Sequence, residues 1–292
     1  MNSSNRLALG TVQFGLPYGI ANGHGQISTL EAESILNFAT NSGIDTLDTA
    51  IAYGIAEQRL GEIGVMQWNV ISKVPPIPAT VDVSKWINEQ IEASLSRLQI
   101  RSLHGLLLHH PIQLLGPNGD EIFASLSRAK ESGLVHKIGI SSYSEDEIDL
   151  VMSRYPLDLI QAPLNIFDRR LIESGCLERI DEAGIEFHAR SIFLQGLLLV
   201  EKTKRPEKFA EWNSVWNQWD SWLIESHLTP LQACLGFVLA QQKVSRIVVG
   251  VDSCAHLKEI LGATEHSPGI EFPLGFEVGD SRLLNPSNWS LN

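Results

Sequence analysis

Cysteine is scarce in this chain. Cys176, Cys234 and Cys254 are odd in number, far apart and without a C-x-x-C pair. That pattern argues against a disulfide framework and for reduced, buried thiols in a cytoplasmic protein. Long apolar runs are missing as well: no stretch approaches the ~18–20 residues of a membrane-spanning helix. Met1-Asn-Ser-Ser-Asn-Arg6 lacks the cationic and apolar parts of a secretory signal. Positive charge is also short. The 22 Lys and Arg against 34 Asp and Glu leave a net charge of -12, which argues against nonspecific binding to nucleic acid or to an anionic membrane surface. Neither G-x-G-x-x-G nor G-x-x-x-x-G-K-[ST] occurs, so both the usual dinucleotide fingerprint and the P-loop are absent.

What remains is an ordinary apolar supply, 43% over 292 residues, arranged in a regular rhythm. Short apolar runs read as strands at Leu7–Val12, Gly43–Leu47, Asn69–Lys73, Leu103–His109, His136–Ser141, Leu157–Leu164, Gly184–Arg190 and Arg246–Val251. Helical patterns fall between them. Ser28-Thr-Leu-Glu31 and Ser144-Glu-Asp-Glu147 are capping signatures. Ile87, Ile91, Leu95 and Leu98 form one stripe over Val83–Leu98. Further helices are expected at Glu57–Val65, Asp120–Ser132, Arg169–Ala183 and Ala255–Leu261, with a long helical region over 207–243 broken near Thr229-Pro230. Eight β/α alternations without a linker fit a closed α/β barrel, which typically needs about 250 residues. An open doubly wound sheet shares the alternation. The tail from about Ser267 reads as loop, with 284–289 folding back on the body of a single domain spanning 1–292.

One stretch carries chemistry. Asp48-Thr-Ala-Ile-Ala-Tyr53-Gly-Ile-Ala-Glu57 follows a strand, precedes a helix and is closed by Leu60-Gly61; Lys73 and His109 end two later strands. A carboxylate at a strand end and a phenol five residues on meet only if the loop curls back over the strand mouth, a usual place for catalysis in β/α proteins. The order D-T-A-x-x-Y-G-x-x-E-x-x-L-G, then a strand-end Lys, then L-L-x-H-x-P resembles the aldo-keto reductase family. The resemblance implies a (β/α)8 TIM barrel and selects the closed sheet over the open one. It also implies reduction of an aldehyde or ketone, with a sugar or sugar derivative among the candidate small-molecule substrates, with NADP(H) or NAD(H) and no metal.

The chemistry makes sense of these residue types. Carbonyl reduction needs a hydride, a proton and stabilisation of negative charge on oxygen. Tyrosine is a weak acid, with a reference pKa of about 10, and a nearby ammonium lowers it. By resemblance Tyr53 is the proton donor, Lys73 and Asp48 are its tuning pair, and His109 orients the carbonyl. Strand alternation sends His110 to the opposite face from His109, which together with the lack of matching ligands weakens any metal reading of His104, His109 and His110.

The resemblance further assigns Gly10, Thr11, Ser141, Ser142, Gln161, Arg190, Ser191, Gln195, Gly196, Leu197, Gly250 and Asp252 to the cofactor. Ser141, Ser142 and Gln161 hold the carboxamide, and Ser142 stands where Asn is usual. Arg190 replaces an aromatic against the nicotinamide ring, a role that a guanidinium plane can also fill. The 191–197 loop wraps the pyrophosphate. Asp252 stands near the place of a cation that meets a 2′-phosphate in many relatives. Such a carboxylate repels phosphate and accepts from a free 2′-hydroxyl. Gln13, Phe14 and Tyr18 are expected at the substrate mouth. The stripe Trp212, Trp216, Trp219 and Trp222 is read as core packing, with a lid or subunit contact as the alternative. A barrel that binds cofactor as a redox sensor or regulatory subunit is the competing function. Oligomeric state stays open.

Overall fold

Strands here are short and buried on both faces, as parallel strands covered by helices must be. Leu7–Gly10 and Thr46–Asp48 are buried throughout. A computed structural model describes residues 3–20, 22, 25–265, 272–273 and 275–289. Its strands are β1 (Leu7–Gly10), β2 (Thr46–Asp48), β3 (Asn69–Val74), β4 (Leu103–Leu108), β5 (Val135–Ser141), β6 (Leu159–Pro163), β7 (Glu186–Arg190) and β8 (Arg246–Gly250). All pair in parallel in chain order, and β8 returns to β1 through the pair Gly10–Gly250. The eight strands close one (β/α)8 TIM barrel, a single domain.

The helices are α1 (Val12–Gly15), α2 (Thr29–Asn41), α3 (Ala56–Ile63), α4 (Val83–Leu98), α5 (Gly119–Glu131), α6 (Glu145–Met152), α7 (Arg170–Glu173), α8 (Cys176–Glu182), α9 (Asn213–Ser226), α10 (Pro230–Ala240), α11 (Cys254–Thr264) and α12 (Ser281–Leu284). Several start on a side-chain cap. Ser28, Asp82, Ser144 and Ser253 each accept from a backbone N–H three residues on, and each cap is worth ~1 kcal/mol. The α4 stripe Ile87, Ile91, Leu95 and Leu98 is buried as its spacing implies. Burying each such side chain stabilises the fold by roughly 1.5–3 kcal/mol. Among the described residues no single helix is long and apolar enough to cross a membrane.

Of the boundaries that differ from the sequence reading, three have a clear local reason. The first strand ends at Gly10, and the chain turns at once into α1. There a Cβ on Gly15 would stand 1.8 Å from the Tyr53 carbonyl oxygen, so only glycine lets α1 lie flush on the loop carrying Tyr53. The helix expected over 169–183 is split into α7 and α8 by Gly175, whose φ of 70° is left-handed. The region over 207–243 is a 3-10 stretch, Glu207–Trp212, followed by α9 and α10. His227 ends α9 with φ 55°, and Thr229 with Gln232 forms a capping box for α10.

The core lies between strands and helices, while a separate small cluster, Ile71, Leu107 and Leu159, plugs the barrel itself. A Cβ on Gly105 would approach Ile71 to 2.8 Å and Leu159 to 3.1 Å, so this glycine makes room for the plug. Above the plug the inward positions turn polar. The tryptophan stripe is core packing: Trp216 and Trp219 are buried against Phe167, with ring centroids 5.1 and 5.7 Å away. The described part of the tail joins them through Phe276, 5.5 Å from Trp222, and Trp289, 5.0 Å from Phe209. Ser267, where the tail was expected to begin, lies outside the described residues.

Candidate active site

The plug stops one layer below the C-terminal strand ends, and two ionised side chains fill the next layer. Asp48 ends β2, and Lys73 is the penultimate residue of β3. They are 5% and 1% exposed. Lys73 Nζ donates to Asp48 Oδ1 at 2.8 Å, to Asp48 Oδ2 at 2.9 Å and to the Thr49 carbonyl at 2.8 Å. An ammonium has three N–H groups, so all its donors are engaged. Burial pulls Lys73 below its usual range, and Asp48 works in the opposite direction.

Beyond β2 the chain curls back. Tyr53 N–H donates to the Ala50 carbonyl at 3.0 Å, and Ala56 N–H to the Tyr53 carbonyl at 3.0 Å. The tight turn puts the Tyr53 ring over the strand mouth, its centroid 5.2 Å from Lys73 Nζ. His109 meets that ring edge-on at 6.2 Å, while His110 is exposed. The expectation that Lys73 lowers the phenol meets a different balance. Burial, and then Asp48, push the Tyr53 phenol up, and Arg190 is the cation that pulls it down. Burial, then Lys73 and Arg190, push His109 down to about 4. Its imidazole is therefore neutral above that pH and carries one N–H.

A polar chain leads from Asp48 across the barrel mouth. Gln161 Nε2 donates to Asp48 Oδ2 at 2.7 Å; a carboxylate only accepts, which fixes the amide's orientation. Ser141 Oγ donates to Gln161 Oε1 at 3.3 Å, and Arg190 Nε donates to Ser141 Oγ at 3.3 Å. The Arg190 guanidinium lies 3.8 Å over the Tyr143 ring. Its other bonds reach the Ser142 carbonyl and Ser191 Oγ.

These groups open on a cavity of about 430 Å³. Asp48, Tyr53, Lys73 and His109 share its wall with Gly10, Thr11, Ser141, Gln161, Arg190 and Ser191. Gln195, Gly196, Gly250 and Asp252, and the expected substrate residues Gln13 and Tyr18, line it too. Three expected residues do not. Phe14 and Leu197 are fully buried in the core. Ser142 turns its hydroxyl to Glu147 and to the Ser144 carbonyl at the start of α6. Tyr143, His256, Pro286 and Ser287 line the wall unforeseen. Tyr143 adjoins the Ser141-Ser142 pair and was within reach of the sequence; the two tail residues carried no signal.

The wall suits a nicotinamide dinucleotide. Gln13 Oε1 is buried without a partner. A Cβ on Gly250 would fall 2.7 Å from Gln13 Nε2, so glycine leaves the wall open there. The β7 loop takes left-handed backbone at Ser191, Leu194, Gln195 and Gly196, turns of the kind that aim N–H groups at an anion. Among the described residues no group of three or more His, Cys, Asp or Glu is placed to hold a metal ion. The far end is acidic. Asp252 Oδ1 faces His256 Nδ1 at 3.3 Å, and Glu31 Oε1 accepts from Cys254 N–H, the first amide of α11, at 2.8 Å.

The model of the Aldo/keto reductase family matches residues 6–268. The chain belongs to that family. It is 28% identical to the aldo-keto reductase YhdN of Bacillus subtilis over 187 residues, 59% of this chain and 53% of that protein. The match thus spans about half of that relative's length. It is 23% identical over 293 residues to an L-glyceraldehyde 3-phosphate reductase of Escherichia coli, covering 84% of this chain and 82% of that one. The aldo-keto reductase AKR11C1 from Bacillus halodurans, in its holo form, has the same fold, with a TM-score of 0.73 at 23% identity over 91% of this chain and 88% of that one. That family comprises oxidoreductases that act on carbonyl substrates.

Proposed function

We propose that the protein reduces an aldehyde or ketone to the alcohol with NADH or NADPH, Tyr53 giving the proton. The observation that carries this reading is the buried Lys73–Asp48 pair beside Tyr53 and His109 in one cavity wall. A pure cofactor-binding sensor has no use for that ion pair beneath a phenol. A nicotinamide dinucleotide bound along the wall supplies the hydride. The chain supplies the rest. Neutral His109 donates its N–H to the carbonyl oxygen and orients it. Tyr53, protonated across the physiological range, gives its proton to that oxygen as negative charge develops. The phenolate left behind lies among Lys73 and Arg190 and takes a proton back from solvent. Ser141 and Gln161 hold the carboxamide, and the Ser191–Gly196 loop holds the pyrophosphate.

Two finer points belong to the same reading. Asp252, with Glu31 on the first amide of α11, disfavours a 2′-phosphate, so NAD(H) is accepted. The aldose phosphate in the name of the Escherichia coli relative, and the polar side chains of Gln13, Tyr18 and Gln195 in the cavity wall, support a sugar or sugar derivative as substrate. The test is direct. Purified protein is mixed with NADH or NADPH and a panel of aldehydes and ketones, and cofactor absorbance is followed. Oxidation of cofactor that depends on the carbonyl supports the reading; none across the panel removes it.

A further inference from the structure

The site holds two permanent or near-permanent cations, and only one is neutralised. Lys73 is bonded to both oxygens of Asp48. Arg190 meets only neutral oxygens, those of Ser141, Ser142 and Ser191, and the Tyr143 ring. No carboxylate among the described residues stands within 4.0 Å of it. A guanidinium does not shed its proton in a protein, so a full positive charge sits in the wall of a cavity in a chain of net charge -12. Its location is fixed by one shared atom: Ser141 Oγ accepts from Arg190 Nε and donates to Gln161 Oε1.

We propose that Arg190 selects the redox state of the bound cofactor, favouring the neutral dihydronicotinamide over the cationic pyridinium. This rests on the reductase reading, in which Ser141 and Gln161 hold the carboxamide. That carboxamide is bonded directly to the pyridine ring. A ring anchored at Ser141 therefore lies against a guanidinium one hydrogen bond away. The two redox forms share their phosphates, riboses and adenine and differ by one unit of charge, on that ring. Uncompensated positive charge repels the oxidised form and leaves the reduced form untouched. In a part-buried wall, where screening is weaker than in bulk water, a tenfold shift in relative affinity is a modest demand. Tenfold corresponds to about 1.4 kcal/mol, or about 30 mV in a two-electron couple.

The rival account makes Arg190 a flat stacking surface whose charge is immaterial, and direct binding separates the two. Dissociation constants of NAD+, NADH, NADP+ and NADPH are measured without substrate, by quenching of tryptophan fluorescence, for wild type, Arg190→Lys, Arg190→Gln and Arg190→Met. The preference for reduced over oxidised cofactor should fall about tenfold in the glutamine and methionine variants and stay within about threefold of wild type in the lysine variant. A wild type that binds both redox forms equally overturns the proposal, whatever the variants do. So does a neutral variant in which both forms weaken by one common factor. Binding of neither form removes the reductase reading and this proposal together, whereas equal binding of both removes this proposal alone.

Discussion

Lys73→Met removes an ammonium while keeping most of the side-chain volume, so it isolates what the buried charge does. In the native protein Lys73 is 1% exposed and gives its three hydrogen bonds to Asp48 and Thr49. The variant leaves Asp48, 5% exposed, with one donor, Gln161. Stripping a buried ion of its partner costs roughly 3–5 kcal/mol. The carboxylate has one escape, which is to take up a proton. The folded variant then binds a proton that the unfolded chain, with an ordinary carboxylate near about 3.9, has already lost. Stability of the variant therefore falls as pH rises above ~4, at up to about 1.4 kcal/mol per pH unit while that proton is held. Urea unfolding at pH 5 and pH 8 reads this for wild type, Lys73→Met, Asp48→Asn and the double variant. The deficit of Lys73→Met should be larger at pH 8, and the double variant should recover part of it because no charge is left buried. A deficit independent of pH, with no recovery in the double variant, would refute the electrostatic account of the pair.

Other expectations are simpler to read. Tyr53→Phe should lower carbonyl turnover by ~10²–10⁴-fold, the usual worth of a general acid, with cofactor dissociation constants nearly unchanged; equal turnover would remove Tyr53 from its role. His109, held at about 4 by burial and then by Lys73 and Arg190, binds fewer protons folded than unfolded between there and its ordinary ~6.5, so stability should rise with pH across that window by up to ~3 kcal/mol. His109→Asn should flatten that rise in a melting-temperature series, and His109→Ala should impair turnover more than His110→Ala; equal losses would count against the facing assigned to the two rings. Asp252→Arg should improve binding of NADP(H) relative to NAD(H), whereas a wild type binding NADP(H) about a hundredfold tighter, some 2.7 kcal/mol, would mean that Asp252 points elsewhere.

The barrel was legible because its signals are local. Alternating runs place the strands to within a few residues, and α4 matches from Val83 to Leu98 because Asp82 caps it and Gln99 ends it in a left-handed turn. The gathering of Asp48, Tyr53, Lys73 and His109 was legible through an ordered motif. What stayed hidden depends on distant partners. Glu57 stands in the same motif, yet nothing near it tells its use. It is buried, and its carboxylate accepts from Ser72 at 2.6 Å, Ser94 at 2.7 Å and Arg97 at 2.8 Å, residues 15, 37 and 40 positions away. Glu57 thus ties α3, which follows the Tyr53 turn, to the strand residue preceding Lys73. Ser142 is a second case: its hydroxyl is held by the Glu147 carboxylate, a bond that the capping signature Ser144–Glu147 does not by itself announce.

The cavity's charge layout links these pieces. Its deep end is cationic: Lys73 is neutralised by Asp48, His109 is neutral, and Arg190 is left over. Its far end carries Asp252, and Glu31 caps α11 just beyond. On the function proposed above, a ligand matched to this layout is neutral at its ring and offers hydroxyls, rather than a third phosphate, at its other end, as NADH does. The Arg190 charge acts twice. Favouring the reduced ring makes that ring a weaker hydride donor by the same factor, because stabilising one side of an equilibrium opposes leaving it. The same positive field, however, lowers the Tyr53 phenol and favours the negative charge that develops on a carbonyl oxygen beside it, so the two effects oppose each other at the barrier. What survives the cancellation, on the proposal for Arg190, is a preference of about tenfold for the reduced over the oxidised bound form.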